Sequence, residues 1–357
     1  MYYTATDVRR PEPHYAPPPV QPTSMSTATE IPQHVLDKLD PEYKAFILSI
    51  GTTVPPPLNK FSWSAALRQA GPTTDSGSSE PIDVGSKRTI QRGGYSAKVM
   101  IPPGEKPGRG WPVVLYAHRG GWVFGNAEAE DNMLSRLCVE AVCVIVSVDY
   151  RLAPEYPFPA GLDDVWDALV WLSKEGEHEI GIDPRRVAVM GGSAGGNLAA
   201  AVAQRASLAS PPIPLVYQAL ITPVINTSFS ANDRSQWTPS MIEHEDNWDL
   251  TVLEMLWCRD LYLPRVEDRQ RPDASPCFQE EKLAFEGMPA TWISVAEVDT
   301  LRSEAEMYAE KLRAHRVPVT LKVLRGLPHT GIKSDRVCES VRKHHEELAA
   351  DLRKAFS

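Results

Sequence analysis

Val187-Ala-Val-Met-Gly-Gly-Ser-Ala-Gly-Gly-Asn-Leu-Ala199 decides how this chain is read. It opens as a short apolar strand, turns through a G-x-S-x-G at Gly191 to Gly195, and continues as an Ala-rich helix. A serine on so sharp a strand-to-helix turn has a strained backbone, and larger neighbours would clash with the adjoining strand and helix. The turn exposes the Ser193 hydroxyl at a helix N-terminus. The plainer alternative is a tight βα turn with a capping serine.

Around this turn, short apolar runs alternate with helical stretches from about residue 86 onward. Strands are expected at Val113–Ala117, Val142–Val148, Val187–Met190, Leu215–Leu220, Trp292–Val295 and Val319–Leu324, with helices near 127–140, 161–175, 195–208, 301–316 and 334–354. The β-α-β alternation predicts a mostly parallel sheet with helices on both faces. Unbroken apolar strands such as AVCVIVSV suit a sheet buried on both sides. Residues 222–288 break the alternation and hold an amphipathic helix over 249–263, more than a connecting loop. Residues 31–50 have apolar residues at helical spacing, with a break near Pro41.

Composition narrows the class. The chain has 357 residues, and 42% hydrophobic with 23% charged residues is ordinary globular usage. Proline is in excess, at 32 residues, eleven of them among the first 60. Residues 1–29 read as a disordered Pro-rich tail, with a PxxP-type ligand as the sharper alternative. Net charge is −9 with no long basic run, which argues against a nucleic-acid or anionic-membrane partner. No stretch reaches the ~18 apolar residues of a membrane span. The N-terminus lacks the apolar core of a signal peptide. The five cysteines are odd in number and form no C-x-x-C pair, so they read as reduced thiols of a cytoplasmic protein. No His/Cys/Asp cluster has metal-ligand spacing, and the glycines at 191–196 lack a phosphate-loop lysine, so neither metal nor cofactor is expected.

Two further segments complete a chemistry. Leu115-Tyr-Ala-His-Arg-Gly-Gly-Trp-Val-Phe-Gly125 follows a strand, and its glycines let backbone N–H groups converge on one point, as acyl transfer requires for a developing oxyanion. A serine nucleophile also needs a base and a carboxylate to orient it. His329 follows the strand Val319–Leu324 in Gly326-Leu-Pro-His-Thr-Gly331, beyond a strand's C-terminal end. His315, His344 and His345 lie in charged helical stretches and read as solvated, while His244 falls in the inserted segment where it could line a substrate site. Asp299 follows the strand Trp292–Val295 just before a helix, with Glu297 as its nearest competitor.

On these residues the chain resembles the hormone-sensitive-lipase-like branch of the α/β-hydrolases, the group with H-G-G-G and G-D-S-A-G-G blocks. The matching pieces are His118-Arg-Gly-Gly-Trp122, Gly191-Gly-Ser-Ala-Gly-Gly196, Val148-Asp-Tyr-Arg-Leu-Ala-Pro-Glu-Tyr-Pro-Phe-Pro159, Ser275-Pro276, Asp299-Thr-Leu-Arg302 and the His329 segment. The resemblance implies an α/β-hydrolase fold with a helical cap. It makes Ser193 the nucleophile, His329 the general base and acid, and Asp299 the orienting carboxylate. The N–H groups of Gly120, Gly121 and Ala194 would form the oxyanion hole. Residues 86–221 and 286–357 would be the catalytic core, with 30–85 as N-terminal cap helices and linker and 222–285 as a cap insertion. Trp122, Trp237, Trp248 and Trp257 suggest an apolar pocket for an acyl or aryl group, unless they only pack the cap.

Two positions depart from the pattern. Arg119 stands where the family has a glycine, and Gly192 where it has an acid. Arg119 is expected either to recognise an anionic group of the substrate or to be paired structurally or turned to solvent. The expected activity is hydrolysis of short-to-medium acyl or aryl esters of small molecules through an acyl-enzyme on Ser193. Alternatives of the same architecture are a small-ligand binding protein, a dehydratase, or an acyl-transfer or cyclisation enzyme. The chain leaves oligomeric state open, a homodimer included.

Overall fold

The computed structural model describes residues 28–70 and 75–357. The expected Pro-rich tail lies outside the described residues up to position 27; its last residue, Thr29, instead begins a two-residue strand, Thr29–Glu30, paired antiparallel with Thr53–Val54.

Eight strands form the central sheet: β1 (Ser86–Arg92), β2 (Tyr95–Ile101), β3 (Trp111–Ala117), β4 (Val144–Asp149), β5 (Ile182–Gly192), β6 (Tyr217–Ile221), β7 (Ala290–Val298) and β8 (Val319–Pro328). Their order across the sheet is β8-β7-β6-β5-β3-β4-β2-β1. From β4 to β8 all pairings are parallel; β2 joins β4 and β1 joins β2 antiparallel. The fold is therefore α/β with a mostly parallel sheet.

Period-two alternation splits each central strand between two cores. Val113, Leu115, Val187, Val189, Ile293 and Val295 face one core, and Val114, Tyr116, Ala188, Met190, Trp292 and Ala296 the other. The first core is closed by helices α3 (Ala160–Lys174), α4 (Ala194–Leu208) and α6 (Arg302–Ala314). The second is closed by α1 (Pro41–Ile50), α2 (Asp131–Glu140) and α7 (Glu339–Ala355). The break near Pro41 is a new helix start: Pro41 occupies the first turn, and the Asp40 carboxylate accepts the N–H groups of Glu42 and Tyr43.

Two expectations need correction. The antiparallel hairpin of β1 and β2 has no counterpart among the expected strands, because the mostly exposed edge strand SKRTIQR carries charges where alternation would show. His344 and His345 are buried, not solvated. They lie on the inner face of α7, where His344 stacks on Trp292 and its Nε2 meets Ser294 Oγ at 3.1 Å. Charged neighbours on the outer face hid that apolar stripe.

Between β6 and β7 the chain leaves the sheet. This insertion carries a short helix, Pro239–Glu243, and α5 (Val252–Tyr262). A capping box fixes the start of α5: the Thr251 hydroxyl accepts the Glu254 N–H, and the Glu254 carboxylate accepts the Thr251 N–H. The other Glu254 oxygen accepts Leu58 N–H at 2.7 Å, which ties the N-terminal segment to the insertion.

Candidate active site

The parallel strands all end on one side, and the polar residues gather there. Ser193 follows β5, Asp299 follows β7, His329 follows β8, and the glycine loop follows β3. This is the side on which open α/β sheets bind ligands.

Ser193 sits at φ +53°, ψ −120° between β5 and α4, a conformation that side chains other than glycine rarely take. Backbone bonds hold it: its N–H donates to the Ile221 carbonyl at 2.9 Å, and its carbonyl accepts Val224 N–H at 3.2 Å. The flanking glycines are required by space. A Cβ on Gly191 would run into the Gly195 carbonyl, and one on Gly195 into the carbonyls of Ala117 and His118. The reading of a mere capping serine does not fit, because the Ser193 side chain makes no helix-cap bond.

The Ser193 Oγ lies 2.9 Å from His329 Nε2, and His329 Nδ1 lies 2.7 Å from Asp299 Oδ2. Asp299 Oδ1 accepts Leu301 N–H at 3.0 Å, which fixes the carboxylate's plane. Ser193 is 7% exposed, His329 6% and Asp299 1%. Glu297, the competing acid, is turned away: it pairs with Arg325 and accepts Gly326 N–H at 2.8 Å.

Gly120 and Gly121 adopt φ +120° and +59°, open only to glycine without strain. A Cβ on Gly121 would stand 2.9 Å from Cβ and Sγ of Cys258, so α5 rests directly on this loop. Ala194 is the first residue of α4, where an N–H has no helical partner. His118 anchors the loop from below. Its ring stacks on Tyr150 at 4.1 Å, its Nδ1 lies 2.6 Å from the Arg119 carbonyl, and its own carbonyl accepts Tyr150 O–H at 2.9 Å. Burial holds its pKa below the usual imidazole value, so it is neutral and donates through Nδ1.

The expected substrate contacts fare differently. Trp122, at φ +62°, is 1% exposed and stacked on Tyr262 at 4.7 Å, so its ring packs in the core. Arg119 is partly exposed, and its Nη1 donates to Thr222 Oγ1 at 2.9 Å, so one edge of the guanidinium is held by the protein itself. His244 is buried beside Glu243, 3.7 Å away, and touches neither Ser193 nor His329; it caps packing between the insertion and the end of β7. Trp257 does stand near the glycine loop, next to Cys258. With Trp63 and Phe124 it makes a half-buried aromatic cluster, centroids 5.8–6.5 Å apart.

Trp63 and Asp249 were missed by the sequence reading. Asp249 accepts the Thr330 N–H at 2.6 Å and the Thr330 hydroxyl as well, one residue past His329. Nothing in its local sequence marks it; the partner is 81 positions away. Burial raises its carboxyl pKa, against the opposing pull of Thr330 and His329. Among the described residues, one group has metal-ligand spacing, Asp40, Glu42 and Cys338, which lies on the α1–α7 side and away from Ser193. The five cysteines are free.

The comparisons with known proteins agree with this geometry. The family model for the alpha/beta hydrolase fold matches residues 114–332, a span that takes in the glycine loop, Ser193, Asp299 and His329. An AB hydrolase superfamily protein of Schizosaccharomyces pombe is 35% identical, the alignment covering 94% of this chain and 99% of that one. Carboxylesterase NlhH of Mycobacterium tuberculosis is 38% identical over 59% of this chain and 63% of its own. The crystal structure of a thermostable esterase from Pseudomonas putida superposes with a TM-score of 0.74 at 31% identity, covering 93% of this chain and 99% of that one. With the sheet order, the serine turn and these relatives in agreement, the chain belongs to the α/β-hydrolase fold family, in its hormone-sensitive-lipase-like esterase branch.

Proposed function

We propose that the chain is a serine carboxylesterase acting on short-to-medium acyl or aryl esters of small molecules. The observation that carries this is the unbroken line from Ser193 Oγ through both His329 nitrogens to Asp299. In the first half-reaction His329 Nε2 takes the Ser193 proton as Oγ attacks the ester carbonyl. Asp299 holds the ring and stabilises the imidazolium. The N–H groups of Gly120, Gly121 and Ala194 receive the oxyanion. His329 then gives its proton to the departing alkoxide, leaving the acyl group on Ser193. In the second half a water, deprotonated by His329, releases the acid and restores the serine. No metal or redox group enters either half.

Substrate size follows from access and lining. Ser193 and His329 are nearly covered, and the insertion 222–285 acts as the cap that covers them, which favours compact acyl groups. The cluster of Trp63, Phe124 and Trp257 beside the glycine loop offers a face for a planar aryl group. Five free thiols favour a cytoplasmic setting, and no described helix is long and apolar enough to cross a membrane.

The test is labelling with a fluorophosphonate probe together with turnover of p-nitrophenyl acetate, in parent and Ser193→Ala. The parent is expected to label on Ser193 and to release p-nitrophenol, and the variant to do neither. A parent that neither labels nor turns over overturns the reading in favour of a binding protein.

A further inference from the structure

Arg119 and Gly192, the two departures from the family pattern, occupy each other's space. A Cβ on Gly192 would lie 2.7 Å from both Cγ and Nε of Arg119 and 3.0 Å from its Cζ. Cγ lies near the root of the side chain, so a methyl group there displaces the whole arginine and not merely its tip. The side chain thus runs along the residue just before the nucleophile. It ends at Thr222, whose hydroxyl accepts from Nη1 at 2.9 Å.

Thr222 is a firm end point. It is 1% exposed, sits at φ +44°, and donates its N–H to the Ser294 carbonyl at 2.7 Å. Ile221, just before it, and Val224, two residues after it, are those that grip the Ser193 backbone. At the other end, the backbone of Arg119 is fixed by His118 Nδ1 and leads straight into Gly120. Arg119 also lines a small cavity of about 10 Å³ together with Glu130, Lys333 and His345, where Lys333 Nζ lies 3.9 Å from Glu130.

We propose that Arg119 is a positioning residue. It sets the distance between the amides of Gly120 and Gly121 and the Ser193 hydroxyl, and it can do so only because residue 192 has no side chain. The proposal rests on the esterase reading, since the quantity it controls is the fit of a tetrahedral oxyanion between loop and nucleophile.

The experiment is steady-state hydrolysis of p-nitrophenyl acetate by parent, Arg119→Ala, Arg119→Lys, Gly192→Ala and the Arg119→Ala/Gly192→Ala double variant, with melting temperatures alongside. A neutral and an acidic ester are compared in each. Arg119→Ala is expected to lower kcat roughly 10- to 100-fold, less than outright loss of an oxyanion donor, with KM nearly unchanged. Arg119→Lys recovers part of that loss. Gly192→Ala alone lowers kcat by a similar factor, but adds little on top of Arg119→Ala, because the displaced side chain is already gone. Neutral and acidic esters lose rate alike. A kcat for Arg119→Ala within twofold of the parent, or losses that multiply in the double variant, overturns the proposal. So does a KM rise confined to the acidic ester, which would make Arg119 an anion reader. If Arg119→Ala does not fold, Gly192→Ala decides alone: kcat within twofold of the parent overturns it. A parent with no turnover sinks the esterase reading instead, a result distinct from an active parent with independent losses.

Discussion

Ser193, Asp299 and His329 each stand just beyond the end of a parallel strand, and that placement is what made them candidates in the sequence. The spacing of polar residues after apolar runs is a local signal. The direction of Arg119 is not local. It depends on the empty space at Gly192 and on a hydroxyl at Thr222, 103 positions away, so the sequence left it open between substrate and structure. Trp122 was left open between pocket and packing for a related reason: its stacking on Tyr262 depends on a residue 140 positions away. The carboxylate of Asp299 is the most informative residue to change. Asparagine keeps its volume and can still accept Leu301 N–H, but offers His329 the wrong tautomer partner. Asp299→Asn should therefore lower kcat on an aryl acetate by roughly 10³- to 10⁴-fold. The melting temperature should stay within a few degrees of the parent. A loss under tenfold would mean that another group orients His329.

At the scale of elements, the inserted segment reaches the candidate site at two points. Helix α5 lays Cys258 against Gly121, and Asp249, just ahead of that helix, grips Thr330 beside His329. The amphipathic pattern of α5 was visible within three residues at its start and one at its end, because the spacing of its apolar residues is local; the Thr251–Glu254 capping box fixes the start at Val252. Its docking was not visible, since that depends on which small residue in a distant loop leaves room for it. Asp249→Ala removes both acceptors of Thr330 and frees the turn that carries His329. The expected outcome is a fall in kcat of roughly tenfold, in line with the ~1–3 kcal/mol cost of leaving buried donors unpaired. Asp249→Asn, which keeps an acceptor for the Thr330 N–H, should retain more activity than the alanine variant. Equal activity in parent and Asp249→Ala would show that the β8 turn holds His329 without the insertion.

For the whole molecule, three buried titratable groups outside the candidate site shape stability against pH, and their signs oppose. Glu304 on α6 is enclosed, with one oxygen accepting Ile225 N–H at 2.7 Å and Asn226 N–H at 3.5 Å. Burial pushes its carboxyl from 4.5 up to about 8. The folded state therefore holds a proton that the unfolded chain has lost, and stability falls as pH rises from about 4.5 to about 8. His344 and His345 act in the other direction. Burial lowers both below the usual 6.5, so the unfolded chain takes up protons that the folded state refuses, and stability falls as pH drops below 6.5. Each group contributes at most ~1.4 kcal/mol per pH unit. Two histidines outweigh one glutamate at low pH and fade as they become neutral in both states, so their joint contribution crests near the histidine value and declines above it. Glu304→Gln keeps an acceptor for the two N–H groups while removing the titration. Measured by calorimetry from pH 6.5 to 8.5, its melting temperature should gain steadily on the parent's. A constant difference across that range would mean that Glu304 does not hold its proton in the folded state.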